Sequence, residues 1–143
     1  ASYKDGSRDG QLVVVSRDLS MAHYATGMAH TLAQVLDDWN FISPQLQDLS
    51  VTLNQGKARH AFPFDPGMCM APLPRARQWL HVPLGAEPLT PTKRPNLVAG
   101  DGSRLQGPHG ALGLNPQAGE FDLEAQWVVV CGDVAQGTKP SEA

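Results

Sequence analysis

An α+β fold, mainly β, is what this sequence predicts, on three observations. Two Asp-Gly pairs, Asp5-Gly6 and Asp9-Gly10, lead directly into Gln11-Leu12-Val13-Val14-Val15, a run rich in β-branched residues. Two stretches of helical spacing follow, Thr31 to Trp39 and Ser43 to Leu53. Far downstream, Phe121 to Cys131 reads as a further strand whose apolar second half is buried and whose first half carries Glu124 and Gln126.

The elements can be justified in order. Lys4 to Gly10 is a turn cluster, so the opening predicts a hairpin that returns along Gln11–Val15. A short strand over Ala22 to Ala25 comes next. In Thr31 to Trp39, the residues Leu32, Val35, Leu36 and Trp39 stand at i, i+3, i+4 and i+7, one apolar stripe of a helix, which places Trp39 in the core. Ser43 suits an N-cap and Pro44 a first helical position, so a second helix is predicted from there. Leu46, Leu49 and Leu53 carry its apolar side to a stop at Gly56. Lys57 to Pro74 is a connector in which Cys69 to Pro74 predicts a brief strand ending in a polyproline-like step. Between Pro83 and Gly119, six prolines and many glycines break every periodic pattern. A loop of that length inside a compact domain is unusual and points to an active-site loop, a linker or a segment that has lost its pattern.

Composition narrows the function classes. The chain has 143 residues and is 41% hydrophobic, enough for a globular core. Its net charge is −3 with no basic face, which argues against nucleic acid as a partner. No apolar run is long enough to span a bilayer and no secretory leader opens the sequence, so no membrane partner and a cytoplasmic location are expected. Cys69 and Cys131 lack metal-ligand spacing and read as buried thiols of a reducing compartment. No pair among His23, His30, His60 and His109 has the spacing of a zinc motif. Ser103 has no Gly-x-Ser-x-Gly elbow around it, and the surrounding glycines lack the phosphate-loop pattern.

The clearest chemical signal is the strand start. Glu124 and Gln126 are two residues apart, so their side chains leave one face, and two oxygen donors on one face can hold a hard divalent cation. Read alone, Glu124 serves equally as an edge carboxylate, Gln126 as an ordinary strand residue, and His81, between Leu80 and Val82, as a structural or surface histidine.

Four blocks carry a resemblance to a known family. They are Lys4-Asp5-Gly6-Ser7-Arg8-Asp9-Gly10-Gln11-Leu12-Val13-Val14-Val15-Ser16, then Leu36-Asp37-Asp38-Trp39-Asn40-Phe41-Ile42-Ser43-Pro44, then Ala71-Pro72-Leu73-Pro74-Arg75-Ala76 with Trp79 just beyond, and Phe121 to Val134. Together they resemble bacterial members of the fumarylacetoacetate hydrolase family, closely from Ala1 to Trp79 and again at the last strand. The resemblance implies an SH3-like N-terminal domain over residues 1–69. It also implies a truncated or degenerate start of a catalytic, mixed β-sandwich roll over residues 70–143. Family members cut a carbon–carbon bond in acylpyruvates and related 1,3-dicarbonyl acids of aromatic catabolism, which implies a small dicarbonyl acid as substrate. They use Mg²⁺ or Ca²⁺ held by oxygen ligands, and a His as general base on water. They dimerise through the catalytic domain, which implies a homodimer.

Carried over residue by residue, the pattern departs in two places. The family has an Asp ligand shortly after the Gln-Trp pair and its His seven residues later. Here Leu80-His81-Val82 follows Trp79 directly, so the simplest alignment keeps His81 as the base and deletes the Asp. The family's paired glutamates correspond to Glu124 and to Gln126, where an amide replaces the second acid, and its later Asp falls beyond Ala143. Each carboxylate lost beside a divalent ion removes on the order of a few kcal/mol even at an effective dielectric of about 20. Gly100-Asp101-Gly102-Ser103 and Gly107-Pro108 resemble the family's Gly-Ser and Gly-Pro signposts around a substrate loop, and Asp101 is a carboxylate that loop offers. Two readings therefore stand. One is a metal-dependent hydrolase. The other is a catalytically inactive, truncated relative that binds or supports another molecule and holds no ion.

Overall fold

The computed structural model describes residues 1–76, 79–80, 97–98, 105–113, 117, 119, 125, 127–131, 135 and 137–139. The chain divides into two compact units, Ala1–Gly110 and Ala111–Ala143. In the first, a four-stranded antiparallel sheet runs in the order β1 (Ser2–Tyr3), β2 (Gln11–Val15), β3 (Met21–Tyr24), β4 (Phe62–Pro63). Two helices, α1 (Leu32–Asp37) and α2 (Trp39–Asn54), lie between β3 and β4 in the chain. The predicted hairpin is present, with Ser2 opposite Leu12 and Tyr3 opposite Gln11. The predicted third strand is also present, with Val14 opposite His23 and Val15 opposite Ala22.

Strand β2 is buried on both faces, which is why its sequence is a continuous apolar run rather than an alternation. Leu12 packs with Ala25, Val35 and Ile42, joined by Met28, Leu32 and Leu46, so this face is covered by the helices. Val13 points the other way, with Tyr3, Ala22 and Cys69, flanked by Val15, Phe62 and Phe64. The rings of Tyr3 and Phe62 stand 5.8 Å apart and those of Tyr24 and Phe62 4.8 Å apart, within the range of favourable aromatic pairs.

Two tight connections shape the sheet. In the turn between β1 and β2, Asp5 accepts from the Ser7 amide at 2.8 Å and the Ser7 hydroxyl accepts from the Gly10 amide at 3.0 Å. Gly10 has φ +67°, and a Cβ there would stand 2.6 Å from the Tyr3 carbonyl oxygen and 2.7 Å from Met70 Sδ. Only glycine fits both the backbone angle and the space. Between β2 and β3, Asp18 Oδ1 accepts from the Ser16 hydroxyl at 2.6 Å, the Ser20 hydroxyl at 2.7 Å and the Ser20 amide at 3.1 Å. Those bonds, to Ser16 first, pull the Asp18 carboxyl down to about 2.

Helix α1 starts where the sequence places it. Thr31 caps the Gln34 amide at 3.3 Å, and Gln34 Oε1 returns to the Thr31 amide at 3.2 Å, a reciprocal capping box. The helix ends earlier than the apolar stripe suggests. Asp38, at φ −132° and ψ 49°, breaks it after Asp37 and its carbonyl takes the first bonds of α2, from Phe41 at 3.2 Å and Ile42 at 3.0 Å. Trp39 is therefore turned out of the core and is 54% exposed, contrary to the sequence expectation.

The start of α2 is a second correction. Pro44 lies inside the helix and Ser43 does not cap it. Starting at Trp39 places Ile42, Leu46, Leu49 and Leu53 along one face, and burial of Ile42 against Val35 and Leu12 outweighs the hydrogen bond that Pro44 cannot donate. The C-terminus follows the prediction. The Gly56 amide bonds to the Leu53 carbonyl and the Lys57 amide to the Thr52 carbonyl, both at 3.0 Å, with Gly56 at φ +68°. This is a Schellman stop. Asn54 Oδ1 accepts from the Arg17 amide at 2.9 Å and ties the helix end to the β2–β3 turn.

Two further expectations are corrected. In the unit Ala111–Ala143, residues 127–131 form no strand, and Trp127 is 97% exposed with Val128, Val129 and Val130 also exposed. An apolar run becomes a buried strand only when a neighbouring strand satisfies its backbone, and among the described residues none pairs with it. Cys131 is accordingly exposed, whereas Cys69 is buried as expected. No helix among the described residues is long and apolar enough to cross a membrane.

Candidate functional site

The segment from Asp65 to Ala76 leads from the sheet toward Trp79, and its backbone is fastened along the outer edge of β1. Asp65 caps a single 3₁₀ turn, Pro66–Met68, by accepting from the Gly67 amide at 2.8 Å, and its own amide donates to Tyr3 Oη at 3.0 Å. The Lys4 amide then donates to the Met68 carbonyl at 2.9 Å and the Met70 amide to the Ser2 carbonyl at 2.8 Å, while Tyr3 and Cys69 face each other in an antiparallel bridge. The strand expected from Cys69 to Pro74 is thus reduced to this one bridge. Prolines at 72 and 74 cannot donate, so the ladder cannot continue. Cys69 lies under this seam, where burial pushes its thiol upward and away from the reactive thiolate.

Beyond the bridge, side chains take over. The Ser2 hydroxyl donates to the Pro72 carbonyl at 2.7 Å. The Ala76 amide bonds to the Leu73 carbonyl at 3.2 Å, closing a turn around Pro74 and Arg75. That turn aims Arg75 at Asp9. Arg75 Nε donates to Asp9 Oδ1 at 2.7 Å and Nη2 donates to Oδ2, a two-pronged ion pair. The hydrogen bond from Arg75 holds the Asp9 carboxyl below the usual carboxylate range, and Asp9 raises Arg75 in turn. Ser2, Asp9, Thr31, Leu32, Pro72 and Arg75 line a small, partly open cleft of about 40 Å³ beside the pair.

A second loop reaches the same seam. A Cβ at Gly107 would fall inside the carbonyl of Cys69 and stand 3.1 Å from Met70 Cα. Gly107-Pro108, one of the signposts read from the sequence, therefore packs directly on the connector, and the Gly110 amide closes the loop on the Gly107 carbonyl at 2.9 Å. Met70 sits with its backbone against Gly107 and its sulfur against Gly10.

The residues singled out by sequence, His81, Glu124 and Gln126, lie outside the described residues, as do Asp101 and Ser103. The nearest described element is the two-stranded sheet of β5 (Trp79–Leu80) and β6 (Leu97–Val98), in which Leu80, the residue before His81, stands opposite Leu97. Among the described residues no group of three or more His, Cys, Asp or Glu side chains converges to hold a metal ion. The Asp9–Arg75 pair was not legible as a pair. Both residues lie in blocks that carried the family resemblance, but nothing in a single sequence joins positions 66 residues apart.

An open groove lies elsewhere, lined by His23, Met28, Asp48, Leu49, Lys57 and Arg59. Its back wall is held by His23, whose Nδ1 and Nε2 each stand 2.7 Å from a carbonyl oxygen, of Tyr24 and Arg59 respectively. This groove is framed by a histidine already committed to the backbone.

Comparison with known proteins bears on the first of these regions. The family model for the fumarylacetoacetase N-terminal domain 2 matches residues 1–75, just over half of the 143 residues, and its last matched position is Arg75. No curated protein matches the chain.

Proposed function

The chain belongs to the fumarylacetoacetase family through its N-terminal domain, and from that premise we propose that the protein hydrolyses a carbon–carbon bond in an acylpyruvate or related 1,3-dicarbonyl acid. The observation that carries this reading is the match over residues 1–75, the stretch that folds here as a sheet, two helices and a fastened connector.

In the proposed reaction, water adds to the acyl carbonyl carbon and the adjacent carbon–carbon bond breaks. The bonding electron pair passes to the dicarbonyl fragment, which takes up a proton, so that one acid and one keto acid are released. His81 is the proposed general base. A neutral imidazole nitrogen takes the proton of the attacking water and returns one to the leaving fragment. Glu124 and Gln126 are the proposed oxygen donors to a hard cation, Mg²⁺ or Ca²⁺. Their oxygen chemistry fits such an ion, but together they bring a single negative charge. When bound, the ion supplies stabilisation of the negative charge that develops on the dicarbonyl oxygens. The substrate oxygens and further carboxylates must complete such a site.

The test uses the whole chain with an acylpyruvate, following loss of the diketone absorbance with and without added Mg²⁺ or Mn²⁺. Metal-dependent turnover that disappears in His81→Ala is the expected result. No turnover, together with no heat of binding at sub-millimolar ion in calorimetry, retires the hydrolase reading.

A further inference from the structure

We propose that Asp9 and Arg75 are a positioning pair that fixes the direction in which the chain leaves the N-terminal domain, six residues before His81. The inference rests on the hydrolase reading for its catalytic consequence and on the geometry alone for its structural one.

Backbone bonding holds this stretch weakly. Pro72 and Pro74 remove two donors, and among the described residues one backbone bond closes the turn around Arg75, from the Ala76 amide to the Leu73 carbonyl at 3.2 Å. A turn so held can swivel about the Met70 and Ser2 anchor points. The guanidinium removes that freedom because it is planar and meets both carboxylate oxygens of Asp9, so it fixes orientation as well as distance. Asp9 is itself rigid. It precedes Gly10, which is wedged against the Tyr3 carbonyl and Met70, and it ends a turn braced by Asp5 and Ser7.

The pair is poorly placed to act chiefly as a stabiliser. Arg75 is 58% exposed and Asp9 32%, so water and salt screen their attraction. A lysine at 75 would keep the charge and lose the fork, which separates orientation from simple attraction.

The experiment compares the full chain with Asp9→Asn, with Arg75→Lys, and with the charge-swapped double variant Asp9→Arg, Arg75→Asp. The first readout is amide hydrogen exchange. Ala76 is expected to exchange about fivefold faster in Asp9→Asn and Arg75→Lys and to recover in the swap, while Leu12 in the sheet keeps its wild-type rate. Unchanged exchange at Ala76, or equal acceleration at Leu12, overturns the proposal. The second readout is turnover of an acylpyruvate. In both single variants kcat is expected to fall about fivefold or more with KM within about twofold, and to recover in the swap. Faster exchange at Ala76 with unchanged kcat overturns the positioning role. A wild-type chain with no turnover retires the hydrolase reading and the catalytic consequence with it, and the exchange comparison then decides the structural claim by itself.

Discussion

Gly10 offers the sharpest test of how the N-terminal domain is assembled. Its replacement by alanine carries two separable costs. The first is backbone: at φ +67° an L-residue sits in the left-handed region, which costs about 1–2 kcal/mol. The second is steric, because the new methyl would stand 2.6 Å from the Tyr3 carbonyl oxygen and 2.7 Å from Met70 Sδ. The sulfur can move, but the carbonyl belongs to β1 and its displacement disturbs the pairing of Tyr3 with Gln11. Overpacking of this kind adds about 1–3 kcal/mol. The sum, about 2–5 kcal/mol, is a large share of the roughly 5–15 kcal/mol that holds an ordinary domain folded. Gly6 provides the control. It has φ +89° and nothing within 4 Å of a built Cβ, so Gly6→Ala should show the backbone cost alone. Urea denaturation followed by tryptophan fluorescence gives both midpoints, with equal m-values required for the comparison. If the two variants lose the same stability, the close packing of Gly10 on β1 and Met70 is not a real constraint and the account of the seam fails.

Three other outcomes follow from described contacts. Thr31→Ala removes half of the capping box and should cost about 1 kcal/mol, read as a lower thermal midpoint, while Thr31→Ser should retain most of it. The Asp18 carboxyl falls from an ordinary 3.8 to about 2 on folding, so its contribution is fully present above about pH 4 and is lost as the pH drops from there through about 2. Wild-type stability should therefore decline through that window more steeply than that of Asp18→Asn, and parallel curves would discount the Ser16 and Ser20 bonds. In a thiol-labelling time course, Cys131 should react promptly and Cys69 only on unfolding, because the first is exposed and the second buried beneath the bridge to Tyr3.

How much of this was legible depends on how local each determinant is. The apolar stripe of α1 and the stop at Gly56 were readable because every determinant lies within a few residues. The β1–β2 hairpin was readable for the same reason, from its Asp-Gly turns. The junction of the helices departs from its local signal: Ser43-Pro44 is a sound start, yet tertiary burial of Ile42 against Leu12 and Val35 outweighs it. Trp39 leaves the core for the same reason, since the apolar stripe passes through Asp38, where the backbone turns. The apolar run at 127–130 shows the limit of periodicity: hydrophobicity signals a strand's readiness to be buried, and a partner must still supply the pairing. At the candidate site, His81 came from the family resemblance and Glu124 and Gln126 from their spacing together with that resemblance, whereas Asp9 and Arg75 became a pair only through the folding of a connector across 66 residues.

The seam along β1 also has a consequence for how the chain is made. Strand β1 leaves the ribosome before either of its partners, and its inner edge finds β2 within about ten residues. Its outer edge waits for Met68 and Met70. At synthesis rates of about 5–20 residues per second, that edge stays unpaired for on the order of 3–13 seconds. A nascent chain with an open strand edge is what chaperones recognise and what neighbouring chains stick to. Codon choice between positions 15 and 68 therefore bears on the yield of soluble protein, through the time during which two residues lack a neighbour.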